Sequence, residues 1–216
     1  MDVSTKNGIV TAHCPNTGSM KGLLEQNNTV WISETNNKQR KLKFTWELLL
    51  DNNSKSLIGI NTHTPNKVVY EALENEAIKE LSGYKHIKKE VKYGQNSRID
   101  FYLNGGINKE CYLEVKNVHY TQGNGIAMFP DAVTDRGLKH LKELGNIVDE
   151  GKRAIMLYIV QREDCEKFKL ASDIDAKYYE GFLSAVKKGV EVLCYSCRIS
   201  LESISIGKPL KILDLK

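Results

Sequence analysis

The stretch SRIDFYLNGGINKECYLEVKNV, residues 97–118, decides how the rest of the chain reads. It splits into two runs of alternating apolar and polar residues, 97–103 and 111–118. Between them NGGIN (104–108) carries a hairpin signal, Asn-Gly followed by a second glycine. Side chains alternate across a strand, so Ile99, Phe101 and Leu103 share one face and Arg98, Asp100 and Tyr102 the other. On the second strand Cys111, Leu113 and Val115 oppose Tyr112, Glu114 and Lys116. Pairing the strands brings Asp100 beside Glu114 and Lys116. Charges at the centre of an apolar strand are costly to bury without partners, so the trio needs a chemical reason.

Two carboxylates and an ammonium supply one. Asp100 and Glu114 offer hard oxygen ligands suited to Mg²⁺ or Mn²⁺, which takes one or two carboxylates together with waters and substrate phosphate. A lysine alongside, Lys116, can orient water or stabilise charge developing on a phosphate. Spacing alone also fits a structural salt-bridge cluster. The Glu-x-Lys pattern is weak by itself, because the chain repeats it as Glu90 and Lys92 in IKKEVKYG (87–94). No aspartate lies one hairpin upstream of that earlier pair and Lys85, Lys88 and Lys89 crowd it, so it reads as a solvated edge.

Outward from the hairpin, KVVYEALENEAIKELSG (67–83) has apolar residues at helical spacing and predicts a helix over 68–82. VTDRGLKHLKELGNIVDEG (133–151) predicts a second helix with Leu138, Leu141, Leu144 and Val148 on one face. RAIMLYIV (153–160) is a nearly continuous apolar run, as in a central strand covered on both faces. DIDAKYYEGFLSAVKKG (173–189) predicts a third helix and VEVLCYSCRI (190–199) a final strand. The first sixty or so residues differ: IVTAHC, TVWIS, KLKFTWELLL and LIGIN read as short strands separated by turn-rich clusters such as PNTGS and ETNNK. The expected fold is therefore α/β with a small all-β N-terminal module, and NTHTPNK (61–67) marks the change of character.

The helix–strand–strand–strand–helix–strand order resembles the core of the restriction-endonuclease-like PD-(D/E)xK nucleases. Their first helix often adds a further acid, and Glu76, near the apolar face of 68–82, is the candidate for a third metal ligand. A solvent-facing glutamate fits that position equally well. Several blocks together, HCPNTGSM (13–20), ELSGY (80–84), EVKYG (90–94), SRIDF (97–101), CYLEVKNV (111–118) and FPDAVTDRGLKHLKEL (129–144), resemble the sugar fermentation stimulation protein A family. The resemblance covers nearly the whole chain. It implies an OB-like nucleic-acid-binding domain at 1–62, a PD-(D/E)xK nuclease-like domain at 63–216, DNA binding, and nuclease activity with Asp100, Glu114 and Lys116 as the catalytic trio. The proline of the PD motif is replaced here by Ile99. Family members usually begin with a further basic strand, so the OB-like barrel is expected to be incomplete and to lack some phosphate-binding charge.

Three other features bear on nucleic acid. NNKQRKLKFTWELLL (36–50) interleaves Lys38, Arg40, Lys41 and Lys43 with Phe44 and Trp46, a pattern for phosphate contact and base stacking on an OB-like strand. Aromatics of a barrel core give the same spacing. Arg136 and Lys139, with His140, are expected on the side of the second helix away from its leucines, where they can hold a phosphate. Asp131 is expected to cap that helix. PNTG after His13 reads as a turn.

Composition sets wide bounds. The net charge of +4, with 31 Lys+Arg against 27 Asp+Glu, permits a polyanion partner without requiring one. No apolar run is long enough for a transmembrane helix, no secretory signal opens the chain, and five scattered cysteines suit reduced thiols, so a cytoplasmic protein without a membrane partner is expected. Cys194 and Cys197 are spaced as half a zinc site, but no second pair is spaced to complete it. The leading expectation is a Mg²⁺- or Mn²⁺-dependent nuclease acting on DNA, with RNA as an alternative substrate. Two others stand beside it: a non-catalytic DNA-binding regulator of sugar metabolism on an idle nuclease fold, and a structural ion-pair cluster unrelated to nucleic acid.

Overall fold

The computed structural model describes residues 1–94, 97–106 and 109–215, so the last two residues of the NGGIN hairpin signal, Ile107 and Asn108, lie outside the described residues. The N-terminal module contains β1 (Asp2–Thr5), β2 (Gly8–His13), β3 (Val30–Glu34), β4 (Phe44–Leu50) and β5 (Leu57–Gly59). They form one sheet in the order β1-β2-β4-β3, with β5 also paired to β4. Among the described residues no pairing joins β1 to β3, so the sheet does not close into a barrel. Trp46 and Leu49 of β4 pack with Met20, Leu23, Ile58 and Ile60 into a small core. The Trp46 indole is buried and donates to the Leu48 carbonyl at 2.9 Å, so it is a core residue and not a stacking platform.

That strand starts later than its sequence suggests. Asn37 accepts at its side chain from the Gln39 amide (3.0 Å) and at its carbonyl from the Arg40 amide (3.1 Å), which turns the chain. Lys38, Arg40, Lys41 and Lys43 therefore lie exposed in the β3–β4 loop and not on a strand face, a correction to the sequence reading.

The second part runs α1 (Thr64–Glu74), a 3₁₀ turn (Lys79–Leu81), β6 (His86–Tyr93), β7 (Ser97–Asn104), β8 (Cys111–Val118), β9 (Tyr120–Thr121) and β10 (Ile126–Phe129). It continues through α2 (Asp135–Asp149), β11 (Arg153–Val160), β12 (Lys167–Leu170), α3 (Ala176–Lys188), β13 (Glu191–Ile199), β14 (Ile204–Pro209) and β15 (Lys211–Ile212). Its main sheet has the order β14-β13-β11-β8-β7-β6. The strands β8, β11 and β13 are parallel, and β6, β7 and β14 run antiparallel to their neighbours. Leu157, Ile159 and Ile155 of β11 face a core shared with α1, while Met156, Tyr158 and Val160 face one shared with α2 and α3. That two-sided burial explains the unbroken apolar run of RAIMLYIV. A smaller sheet, β15-β12-β10-β9, stands beside the main one, and its short strands have no counterpart in the sequence reading.

Three local expectations are corrected. The helix expected over 68–82 starts at Thr64 with Pro65 in its first turn, where a missing amide costs nothing, and ends at Glu74. Glu76 beyond it adopts φ +50, which a continuing helix does not allow. Thr134, not Asp131, caps α2, accepting from the Gly137 amide at 3.1 Å. Cys194 and Cys197 belong to cores on opposite faces of the main sheet, as three positions along a strand demand, so they are not joint ligands of one ion.

The two parts meet through a polar seam. The Gly59 amide donates to the Gln161 carbonyl at 2.9 Å, and Arg162 pairs with Asp51 at 3.2 Å. Asp131 accepts from Ser19 Oγ (3.1 Å) and from the Met20 amide (3.2 Å), close enough to Gly18 that an added Cβ there would lie 2.7 Å from its Oδ2. The turn PNTGS is thus built around a carboxylate of the other part. Among the described residues no helix is long and apolar enough to cross a membrane.

Candidate active site

The strands β7 and β8 pair at Phe101↔Leu113, Tyr102↔Tyr112 and Leu103↔Cys111, and then part. Extending that register sets Asp100 opposite Glu114, at the mouth of the opening. Where the ladder stops, the Asp100 side chain takes over: its Oδ2 accepts from the Val115 amide at 2.7 Å and its Oδ1 from Asn66 Nδ2 at 2.8 Å. On the other side of Asp100, the β6 pairing passes from Lys89↔Phe101 to Val91↔Ile99 without engaging Glu90, whose φ is +53. Strict alternation fails at this point: Ile99 belongs to the core under α2 and α3, and Phe101 to the core under α1. Asp100 thus sits at a twist in the sheet, reachable from both layers.

Glu114 is 3% exposed in the middle of β8. Its Oε1 has two partners, Lys116 Nζ at 2.8 Å and the Nδ1 of His140 in a very short contact. Lys116 Nζ also lies 3.1 Å from His140 Nδ1. The other oxygen, Oε2, is buried and has no hydrogen-bond partner among the described residues. The two carboxylates respond differently to burial. Burial and then the neighbouring charge of Glu114 push the Asp100 carboxyl up to about 6. Burial pushes Glu114 the same way, but His140 and Lys116 overcome it and hold its carboxyl below the usual range.

His140 was expected on the outer side of α2 and lies on the inner one, 4% exposed, because it sits beside Leu141 and one turn before Leu144 on the buried stripe. Glu143 shares that stripe at 8% exposure, with Lys139 Nζ 3.7 Å from its Oε1. Across from it are Tyr93 and Gly94 at the end of β6. Gly94 has φ +55, and a Cβ there would come within 3.1 Å of Glu143 Oε1. The Tyr93 hydroxyl is pushed up by burial and then by the charges of Glu114, Glu143 and Asp100.

The structure therefore brings Asp100, Glu114 and Lys116 together, adds Asn66, His140, Tyr93 and Glu143, and leaves Glu76 out. Glu76 lies just beyond the far end of α1 from Asn66, with about 12 Å of helical rise between Asn66 and Glu74, and its carboxylate accepts from the Gly83 amide at 3.2 Å. Arg136 and Lys139 are exposed on α2, Arg136 one turn before His140. Asn66 and Glu143 escaped the sequence reading. The one signal for Glu143 was a charged residue placed between Leu141 and Leu144, inside the helix's apolar stripe.

The donor set fits a hard divalent cation: the free Glu114 Oε2 and the adjacent Asp100 carboxylate are anionic oxygens whose mutual repulsion a cation relieves. Among the described residues no three His, Cys, Asp or Glu side chains form a metal cluster. Two carboxylates with waters are a sufficient protein contribution for Mg²⁺.

Comparisons with known proteins place the chain in a family. Residues 63–203 match the family model described as the sugar fermentation stimulation protein RE domain, and residues 1–60 match the SfsA N-terminal OB domain. The sugar fermentation stimulation protein homolog of Maricaulis maris is 46% identical over 212 residues, covering 98% of this chain and 89% of that protein. The homolog of Bartonella henselae is 47% identical over 208 residues, covering 96% and 88%. Among solved structures, SfsA from Pyrococcus furiosus in complex with Ca²⁺ superposes with a TM-score of 0.87 at 27% identity, covering 98% of this chain and 89% of that one. The chain belongs to the sugar fermentation stimulation protein family.

Proposed function

We propose that the protein is a divalent-metal-dependent nuclease that binds DNA and hydrolyses its phosphodiester bonds. The observation that carries this reading is the buried, unpartnered Oε2 of Glu114 beside an Asp100 whose carboxyl is pushed upward by burial and then by the Glu114 charge. Two carboxylates left in that state favour a cation, and Mg²⁺ or Mn²⁺ is the one their hard oxygens suit. The Ca²⁺ named with the Pyrococcus furiosus protein agrees with that choice. Such an ion polarises a phosphodiester when bound. Lys116 is held by Glu114 Oε1, which fixes its ammonium where phosphate charge would develop. Asn66 and the Val115 amide orient Asp100, while His140 orients Glu114. Arg136 and Lys139 on the exposed side of α2, and Lys38, Arg40, Lys41 and Lys43 of the β3–β4 loop, supply positive charge for the nucleic-acid backbone.

A second reading keeps DNA binding and drops catalysis. It is favoured by the contacts of Glu114 Oε1 with the Lys116 ammonium and the His140 ring, which already engage that oxygen within the protein. Plasmid cleavage assayed with purified protein and Mg²⁺ or Mn²⁺ separates the two. Cleavage that Glu114→Ala abolishes supports the nuclease; metal-independent DNA binding with no cleavage of double- or single-stranded DNA or RNA supports the idle fold.

A further inference from the structure

Hydrolysis of a phosphodiester by water needs a group that accepts the water's proton, and most of the site is unfit for that. Asp100 has both oxygens engaged, by Asn66 and the Val115 amide, and belongs with Glu114 to the cation. Lys116 as an ammonium only donates. His140 is committed through its Nδ1 to orienting Glu114. Glu143 is the exception. It lies on the inward stripe of α2, three residues after His140 and hence on the same helix face. Its Oε2 is buried with no hydrogen-bond partner among the described residues, as is the Tyr93 hydroxyl across from it. Its Oε1 is steadied by Lys139 and packed against the backbone of Gly94. A buried carboxylate oxygen without a partner is an acceptor waiting for a donor, and a water is the donor a hydrolytic site provides.

We propose, on the nuclease reading above, that Glu143 is the general base: it accepts the proton of the attacking water. The water oxygen forms the new bond to phosphorus as its proton passes to Glu143. The bond from phosphorus to the leaving sugar oxygen breaks, and that alkoxide takes a proton from bulk water. Glu143 then returns its proton to solvent. The charged and titratable groups recorded about it are Lys139 of α2, 3.7 Å from its Oε1, and Tyr93 of β6, whose hydroxyl also feels the charges of Glu114 and Asp100.

The test compares wild type, Glu143→Gln and Glu143→Asp in plasmid cleavage across pH, with Mn²⁺ binding followed separately by calorimetry and folding by thermal melting. Expected for Glu143→Gln at saturating Mn²⁺ are a kcat lower by about 100-fold or more and an unchanged Mn²⁺ affinity and KM for DNA. Glu143→Asp recovers part of the rate. Wild-type cleavage with Glu143→Gln equally active overturns the proposal and leaves the nuclease reading standing. A Glu143→Gln that folds but loses Mn²⁺ binding together with activity overturns it too, by making Glu143 a metal ligand. If wild type binds Mn²⁺ and cleaves nothing, the nuclease reading fails and the general base falls with it.

Discussion

Glu90-x-Lys92 and Glu114-x-Lys116 are the same three-residue pattern on two strands of one sheet, and they have nothing else in common. The first lies on β6, the sheet's edge, with both side chains exposed. The second lies on β8, between β7 and β11, with Glu114 3% exposed and the Lys116 side chain 15% exposed. Water solvates the first pair at little cost. The second must find its partners in the protein: Glu114 holds Lys116 and the distant His140 at one oxygen, and faces a second carboxylate, Asp100, across the hairpin. Position in the sheet, set by apolar residues that touch neither pair, decides which copy of the pattern has chemistry available to it.

The largest expected effect breaks the comparison at its acids. Glu114→Ala is expected to lower DNA cleavage by about 1,000-fold, the upper range for losing one preorganised electrostatic group, and to abolish Mn²⁺ binding. Glu90→Ala is expected to change neither, as plasmid cleavage and calorimetry on the two variants will read. Equal losses from both substitutions would remove the distinction. The lysines follow at smaller size. On the proposed nuclease reading, Lys116→Met is expected to slow cleavage by about 100-fold while Mn²⁺ still binds, because the ammonium would stabilise phosphate charge without holding the ion. Lys92→Met is expected to cleave as wild type.

What made the site legible in the sequence was the hairpin. Period-2 alternation and Asn-Gly put Asp100 beside Glu114; the observed pairing reaches Phe101↔Leu113, one step short of them, and strict alternation along β7 breaks between Ile99 and Phe101. The failures have physical causes. His140 was assigned to the wrong side of α2 because the inward stripe was drawn through leucines alone, whereas the fold buries His140 and Glu143 on that stripe against Glu114 and Gly94. Glu76 was drawn into the site by a helix that the chain ends early with a left-handed residue. Asn66 was invisible because its role depends on how α1 lies against β7, which no local pattern encodes. The small sheet β15-β12-β10-β9 escaped for a similar reason: its strands are two to four residues long, too short for alternation to register.

A third prediction sharpens the contrast through protons. The Asp100 carboxyl is raised from the ordinary 3.8 to about 6, so between those values the folded protein holds a proton that the unfolded chain has released. This group's contribution to metal-free stability therefore falls as pH rises through that window. Above it, two charged carboxylates repel and Mn²⁺ relieves them. Below it, the proton competes with the ion. The apparent Mn²⁺ affinity is expected to be about tenfold weaker at pH 5 than at pH 7.5, by the titration of one group near 6. The rise in melting temperature at a fixed Mn²⁺ concentration will shrink accordingly, and the same rise measured in Asp100→Asn is expected to be near zero at both values. A Mn²⁺ shift that does not depend on pH would mean that Asp100 is not part of the cation's site.

The smallest expected effects concern the backbone contacts, where Lys92 again serves as the reference for an exposed lysine. Removing a lysine that neutralises one phosphate shallows the dependence of log affinity on log salt by about 0.9 for duplex DNA. Lys41→Ala in the β3–β4 loop and Arg136→Ala on α2 are each expected to show that change and a few-fold weaker binding, with cleavage at saturating DNA close to wild type. Arg40→Ala is expected to lose less, since its guanidinium already donates to Thr45 Oγ1 at 3.0 Å and gives up that bond to reach a phosphate. Fluorescence anisotropy across a salt series measures all of these alongside Lys92→Ala. A salt slope that moves for Arg136 and not for Lys41 would confine DNA to the nuclease-like part. Movement in both would run the duplex from α2 across the polar seam, where Asp131 grips the PNTGS turn, to the loop of the N-terminal sheet.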